Sequence, residues 1–494
     1  MHVVSVETAR SEAAAFAGAL DALNGSEPAS ALAQAQSGLL IEPRSARLWH
    51  LRALALRDLD RRREAIAAFK RGLEIAPDQP KLVLGLAQTR FEAGLPAVEQ
   101  FIQAARLQPN DPEILLSFAH ALMAEGRADE AIAGMTALLR GSPEWVGGQE
   151  FLAHARYTAG ERSGFASSFR TALKAHPANI PLRRSAVQLL HSAGFSEDAL
   201  ALLQEGRQLT GEQPVWTLQR AIIAAERGDL NAAEPLFAEL ADIDDPAVQV
   251  RRMRFFIQAR MPEPALALFQ RYRSHDEVSQ FLPYASVARR WRGDSDWARL
   301  EEDPRQVGIY DLAAELPPLG DLAAYLRSVH RARSQQLDQS VRGGTQTAGT
   351  ILSHIDPLIE QTRAATGAAV ASYVAELPPF EPDNPLLSAR RDRPVRLSGS
   401  WSVLLRGRGF HSNHIHPMGW ISSALYVDLP EADGECGWLT LGEPQHELNT
   451  GLAPFRKVEP KPGRLVLFPS TMWHGTVPFE AGERLTIAFD VRRP

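Results

Sequence analysis

His414 and His416 stand two residues apart in the segment F-H-S-N-H-I-H-P, Phe410 to Pro417. On an extended strand, side chains two apart point to the same face, so this pair presents two imidazoles together. A third imidazole, His474, follows the short strand-like run Leu465 to Phe468. Three imidazole nitrogens, two local and one distant, make a donor set that suits Fe, Zn or Cu. Arg484 comes ten residues after His474 and opens the alternating segment R-L-T-I-A-F-D-V.

Five of the 14 histidines lie beyond residue 410, a crowding that supports a site. His411 is an odd number of residues from His414, so it is expected to face the other way. His446 sits in the polar stretch P-Q-H-E and is expected at the surface.

The pieces H-I-H-P, S-S-A-L-Y-V, P-G-R-L-V-L-F-P-S…H and G-E-R-L-T-I-A-F occur in that order, with D-Q-S-V-R-G-G-T-Q-T from Asp338 to Thr347 upstream. Together they resemble the double-stranded β-helix oxygenases that use Fe(II) and 2-oxoglutarate, over about the last 170 residues. The nearest likeness is a bacterial group of 2OG-Fe(II) oxygenases often fused to tetratricopeptide repeats. The resemblance implies that His414, His416 and His474 hold Fe(II). It also implies that Arg484 binds the far carboxylate of 2-oxoglutarate, as a planar guanidinium fork can. Thr486, on the same strand face, would add a hydroxyl; Asn413 and Ser423 are further cosubstrate candidates, and Trp473 and Arg342 candidates for the substrate pocket. O2 is the other cosubstrate. In this family oxidative decarboxylation of 2-oxoglutarate to succinate and CO2 drives hydroxylation of a C–H bond.

One departure leaves alternatives open. The superfamily places a carboxylate where this chain has His416. Three neutral imidazoles leave the site one charge unit more positive than two histidines and a carboxylate. A three-histidine dioxygenase that does not use 2-oxoglutarate is one alternative, and an inactive repeat scaffold for protein–protein interaction is another.

The elements that must carry these residues follow from periodicity. Pro43, Pro77, Pro109, Pro143 and Pro177 recur at steps near 34, the period of tetratricopeptide repeats. Ala65, Phe69 and Pro77 keep spacings of four and eight, and so do Ala97, Phe101, Pro109 and Ala131, Met135, Pro143. The small residue lets paired helices approach, the large one packs into the next repeat, and proline stops the second helix. Phe165 occupies the small position of its repeat, which predicts a splayed or rotated pair there. Gly126, Gly160, Gly194 and Gly228 fall at the turns. About seven repeats are expected, ending near Tyr272.

After the repeats, His275 to Leu316 reads as a helix followed by loop. Asp321 to Gln339 and Ile355 to Leu377 have helical periodicity, with Arg342-Gly343-Gly344-Thr345 between them as a loop across the barrel mouth. From Pro394 the period changes to two. Leu397 to Leu405, Ile421 to Val427, Trp438 to Leu441, Arg464 to Phe468 and Arg484 to Val491 are short strands, with Gly407 and Gly409 as breaks. The fold class is therefore multidomain: an all-α tetratricopeptide solenoid, then an α+β domain with a double-stranded β-helix (jelly-roll) barrel. The expected domains are 1–275 for the solenoid, 276–317 for a capping helix and linker, and 318–494 for the oxygenase domain, with helices over 318–380 and the barrel over 394–494.

Composition narrows the functional class. A chain of 494 residues exceeds one hydrophobic core, and a net charge of -6 gives no sign of a nucleic-acid surface. The single cysteine excludes an internal disulfide and fits a reducing compartment. Met1 to Arg10 lacks the pattern of a secretory signal, and no apolar run reaches membrane-spanning length, so cytoplasmic location without membrane or nucleic-acid partners is expected. Solenoid grooves commonly take extended peptides, so the expected partner is a protein or peptide.

Overall fold

The computed structural model describes residues 11–337 and 339–494. The reading of Met1 to Arg10 as no secretory signal lies outside the described residues, as does Asp338 at the head of the upstream motif. The chain is a tetratricopeptide-like helical solenoid followed by a domain built on antiparallel sheets. Contacts divide it into two compact units: residues up to Gly134 with Ala348–Arg363, and Met135–Thr347 with Ala364–Pro494.

Among the described residues, sixteen helices from Glu12–Asn24 to Pro262–Tyr272 form eight helix–turn–helix pairs. Each internal turn carries one residue in the left-handed region: Ser26, Asp60, Gly94, Gly126, Gly160, Gly194, Gly228 and Arg260. The count exceeds the seven expected because the first pair precedes the first periodic proline and turns at Ser26 rather than at a glycine. The small positions Ala65, Ala97, Ala131, Ala199 and Ala233 are buried, as are their partners Phe69, Phe101, Met135, Leu203 and Phe237.

A recurring side-chain bond fixes the step from one repeat to the next. Trp49 donates its indole N–H to Pro43 O at 2.9 Å, Gln149 its amide to Pro143 O at 2.9 Å, and Arg183 its guanidinium to Pro177 O at 3.0 Å. Gln249 does the same to Ile243 O at 2.6 Å. Each donor lies six residues beyond its acceptor and satisfies a carbonyl that the end of a helix leaves without a partner. The Phe165 repeat departs from the others. Its second helix is shortened to Ser167–Ala175, and Phe165 lies in the turn before it, edge-on to Tyr157 at 5.5 Å. A ring in the slot meant for alanine excludes the first helical turn.

Beyond the repeats a capping helix runs over Val278–Trp291. The stretch expected as linker then supplies a strand, β1 (Gly308–Asp311), which pairs antiparallel with the later strand Arg464–Pro469. Helix Leu319–Val329 ends ten residues before the predicted limit of Gln339, and the second helix is Pro357–Glu376. Arg342-Gly343-Gly344-Thr345 is not a loop but part of an edge strand, β2 (Val341–Gln346), with a register shift between Arg342 and Gly344. A Cβ on Gly344 would lie 2.3 Å from Leu404 O, which is why the strand needs glycine there.

The remaining strands are β3 (Leu397–His411), β4 (Ile421–Asp428), β5 (Leu439–Leu441), β6 (Arg456–Val458), β7 (Arg464–Pro469), β8 (His474–Thr476) and β9 (Glu483–Val491). β3 continues through Gly407 and Gly409, where a break was expected: β9 pairs with it up to Arg406, and β2 takes it up again at Phe410 and His411 after a register shift. The larger sheet has the order β1-β7-β4-β9-β3-β2 and the smaller β6-β5-β8, all antiparallel. Between the sheets lies an apolar core that includes Tyr426, Leu439, Leu441, Val466 and Phe468.

Within the first unit, Ala348–Arg363 docks on the turns of two repeats. Ile355 N–H donates to Ala93 O at 2.9 Å, and Arg363 reaches Asp60 at 3.2 Å. Gly94 has φ +67°, and a Cβ there would meet the His354 ring at 2.5 Å. Gly94→Ala should therefore cost roughly 1–2 kcal/mol from backbone conformation alone, and hydrogen exchange over 351–356 should rise several-fold above wild type. Burial also holds His354 down at about 4. A depressed histidine binds its proton more readily when unfolded, so the stability of this contact falls as pH drops from about 6.5 toward 4. At pH 5 the segment should exchange faster than at pH 7.5, after correction for intrinsic rates, and His354→Phe should flatten that dependence.

Candidate metal centre

Backbone pairing assembles the imidazoles. His414 and His474 form an isolated antiparallel bridge, His414 N to His474 O at 2.8 Å and His474 N to His414 O at 3.0 Å. Two residues on, His416 N donates to Ser470 O at 2.9 Å, so the segment after β3 is laid along the approach to β8. The ring centroids of His414 and His474 are 4.2 Å apart, those of His414 and His416 4.9 Å, and those of His416 and His474 5.1 Å. One nitrogen from each of the three lies within 4.8 Å of the others, a group that could hold a metal ion.

Hydrogen bonds select which nitrogen that is. His414 Nδ1 lies 2.9 Å from Ser412 O, and His474 Nδ1 lies 2.9 Å from Met472 O. His416 Nδ1 lies 2.9 Å from both carboxylate oxygens of Asp490. Carbonyl and carboxylate oxygens only accept, so each Nδ1 carries the proton and each Nε2 keeps a lone pair. Burial pushes His414 and His474 well below the ordinary histidine value, which keeps those lone pairs free at neutral pH. Three imidazole nitrogens so grouped make a donor set that suits a divalent transition metal.

His411 stands beside this group and not in it. Its Nδ1 meets Ser340 Oγ at 3.0 Å, and the same hydroxyl lies 3.2 Å from His414 Nε2. Burial first, and then the charge of Arg484, hold His411 down at about 3.

Arg484, Thr486, Ala488 and Asp490 alternate along β9 and so share one face. Arg484 is 3% exposed, and its Nε and Nη1 meet no hydrogen-bond partner among the described residues. Its guanidinium lies over the ring of the buried Tyr426 at 5.1 Å. The neighbouring Glu483 is taken by Arg406 at 3.0 Å and Arg327 at 3.1 Å. Thr486 is buried and sits in register with Tyr426 on β4 and Val403 on β3.

Other expected contacts are used structurally. Ser423 does not offer a free hydroxyl: it donates to Phe489 O and accepts from Phe489 N, both at 2.8 Å, stitching β4 to β9. Trp473 donates its indole N–H to Pro283 O at 3.1 Å, and its ring meets Tyr284 edge-on in the core under the capping helix. Arg342 turns back onto the carbonyls of Gln339 and Val341. Asn413 donates to Pro444 O at 3.2 Å, and a Cβ on Gly475 would fall 1.9 Å from its Oδ1.

Asp490 and Ser340 join the site although no spacing rule singles them out. Asp490 had a signal, because R-x-T-x-A-x-D puts polar groups at both ends of one strand face. Ser340 lies within the upstream motif, but its reach to two histidines depends on β2 pairing with the end of β3.

A family model described as "Putative 2OG-Fe(II) oxygenase" matches residues 399–490, and one described as "Tetratricopeptide repeat" matches residues 46–89. No curated protein matches the chain. Among solved structures, a tetratricopeptide repeat protein from Parabacteroides merdae is similar at 13% identity and TM-score 0.32, over 49% of this chain and 97% of that one. A Pseudomonas putida prolyl-4-hydroxylase is similar at 20% identity and TM-score 0.27, over 40% of this chain and 98% of that one. By its family matches, the chain carries a tetratricopeptide repeat at 46–89 and a domain of the 2OG-Fe(II) oxygenase family at 399–490.

Proposed function

We propose that this chain is an Fe(II)- and 2-oxoglutarate-dependent dioxygenase that hydroxylates a protein or peptide delivered by its repeat solenoid. The observation that carries this reading is Arg484, a buried guanidinium with two unpaired nitrogens on the strand face that leads to the imidazoles. A buried cation without a counter-charge is costly, and a dicarboxylate cosubstrate is a ligand that relieves it. His414, His416 and His474 would hold the metal through Nε2. Bound there, Fe(II) with O2 supplies the oxidative decarboxylation of 2-oxoglutarate to succinate and CO2 that is coupled to C–H hydroxylation. The chain's own residues bind and orient: Ser412 O, Met472 O and Asp490 fix the imidazole tautomers, and Arg484 with Thr486 receives the far carboxylate.

A three-histidine dioxygenase that does not use 2-oxoglutarate would leave Arg484 without a purpose, which disfavours it. In the proposed division of labour, residues 1–275 form the docking solenoid, 276–317 connect it, and 318–494 carry the reaction in the cytoplasm. Among the described residues no helix is long and apolar enough to cross a membrane.

Two measurements test the site. Arg484→Ala should weaken 2-oxoglutarate binding by roughly two to three powers of ten, from the 3–5 kcal/mol that an uncompensated buried charge costs. Arg484→Lys should recover only part, because an ammonium keeps the charge and loses the fork. Calorimetric titration of 2-oxoglutarate into Fe(II)-loaded protein without O2 reads both, and equal affinity in wild type and Arg484→Ala would remove the cosubstrate assignment. Separately, metal analysis after Fe(II) loading should give one ion per chain in wild type and almost none in His414→Ala or His474→Ala. Full occupancy in His416→Ala would reduce the ligand set to two histidines.

A further inference from the structure

The imidazole cluster lacks the anionic ligand of a two-histidine-one-carboxylate site, yet a carboxylate is present one bond further out. Asp490 closes the shared face of β9, and both of its oxygens lie 2.9 Å from His416 Nδ1. Its position is held from two sides. Ser422, 1% exposed, donates to Asp490 Oδ1 at 2.6 Å, and Ser422 Oγ lies 2.9 Å from Ser470 Oγ. Ser422 is also the β4 register partner of Asp490. Ser470 in turn supplies the carbonyl that receives His416 N–H, and a Cβ on Gly419 would strike Ser470 Oγ at 2.5 Å. Asp490 of β9 and Ser422 of β4, at 3.3 Å, thus both reach Nδ1 of one imidazole, and Ser470 in the turn after β7 holds its backbone. At Nδ1, His414 and His474 lean on neutral backbone carbonyls.

We infer that Asp490 is the positioning residue of the metal centre: it locks His416 with Nε2 toward the ion and supplies, through the imidazole, the negative charge that the ligand set itself lacks. This inference rests on the proposed metal site and deepens it. A carboxylate accepting from Nδ1–H makes Nε2 a stronger donor and fixes the ring plane. The same charge, one shell out, offsets one of the two positive units that three neutral ligands leave on a divalent ion. Asp490 is then the counterpart of a ligand carboxylate displaced outward, and His416 is the bridge that transmits it.

The test uses the full-length chain, stripped of metal and titrated with Co(II), whose visible absorption reports both occupancy and coordination. Asp490→Asn preserves size and can still accept from Nδ1–H, so it removes charge alone. It should weaken Co(II) binding by about ten- to a hundredfold and change the absorption envelope, with the folding transition close to wild type. Asp490→Glu should recover part of the affinity. The double variant His416→Asp with Asp490→Asn moves the carboxylate to the ion, and should bind at least tenfold more tightly than Asp490→Asn. Wild-type affinity and spectrum in Asp490→Asn would overturn the role of Asp490 while leaving the metal site standing. A double variant no tighter than Asp490→Asn would overturn the charge argument. Failure of the wild-type chain to bind Co(II) would overturn the metal centre itself, which keeps the two failures apart.

Discussion

The site depends on one small contact, the reciprocal pair of backbone hydrogen bonds between His414 and His474. Sixty residues separate the two, and at this bridge their ring centroids come to 4.2 Å. Its geometry is inherited from the sheets. β3 delivers the chain to His411, where the backbone N–H is caught by Thr476 Oγ1 of β8 at 2.8 Å, and the bridge then continues the same antiparallel approach. Backbone pairing positions ligands more firmly than loop packing does, because each bond fixes both separation and register.

Electrostatics divides one strand into two ends with opposite tasks. β9 carries Arg484 at its start and Asp490 near its finish, about 20 Å apart at the rise of an extended strand and on the same face. Ion pairs hold the rim: Arg327 and Arg406 engage Glu483, and Arg327 also engages Asp428. Because these exposed acids are taken, the buried guanidinium next to them stays uncompensated. The opposite face of β9, with Leu485, Ile487, Phe489 and Val491 all within 1% of full burial, anchors the strand so that neither charged end can turn away.

Within the second unit the last repeat and the capping helix brace the sheet domain. Arg260 donates to Asn449 O at 2.6 Å, Arg290 to Gly442 O at 2.8 Å, and Trp291 to Thr450 O at 3.3 Å. Trp473, adjacent to His474, is fixed by Pro283 of the capping helix. The same turn edge of the Phe165 repeat receives Arg333 and Ser334 N–H groups on Thr158 O. The capping helix Val278–Trp291 supplies most of these contacts, with Arg260 added from the turn of the last repeat.

The sequence by itself determined the periodic features: the repeat frame, most strands of the barrel, and the three histidines with Arg484. Each of these is legible because it obeys a fixed spacing, 34 for a repeat or two for a strand face. What the tertiary structure decided are relations with no spacing. Val341 to Gln346 reads as a glycine-rich loop and becomes an edge strand because β3 offers it unpaired hydrogen-bonding groups. Ser423 and Trp473 read as pocket residues, and packing commits both to holding elements together. Asp490 reads as the polar end of a strand. Only the fold, by placing Ser422 and Ser470 around it, brings its carboxylate against His416.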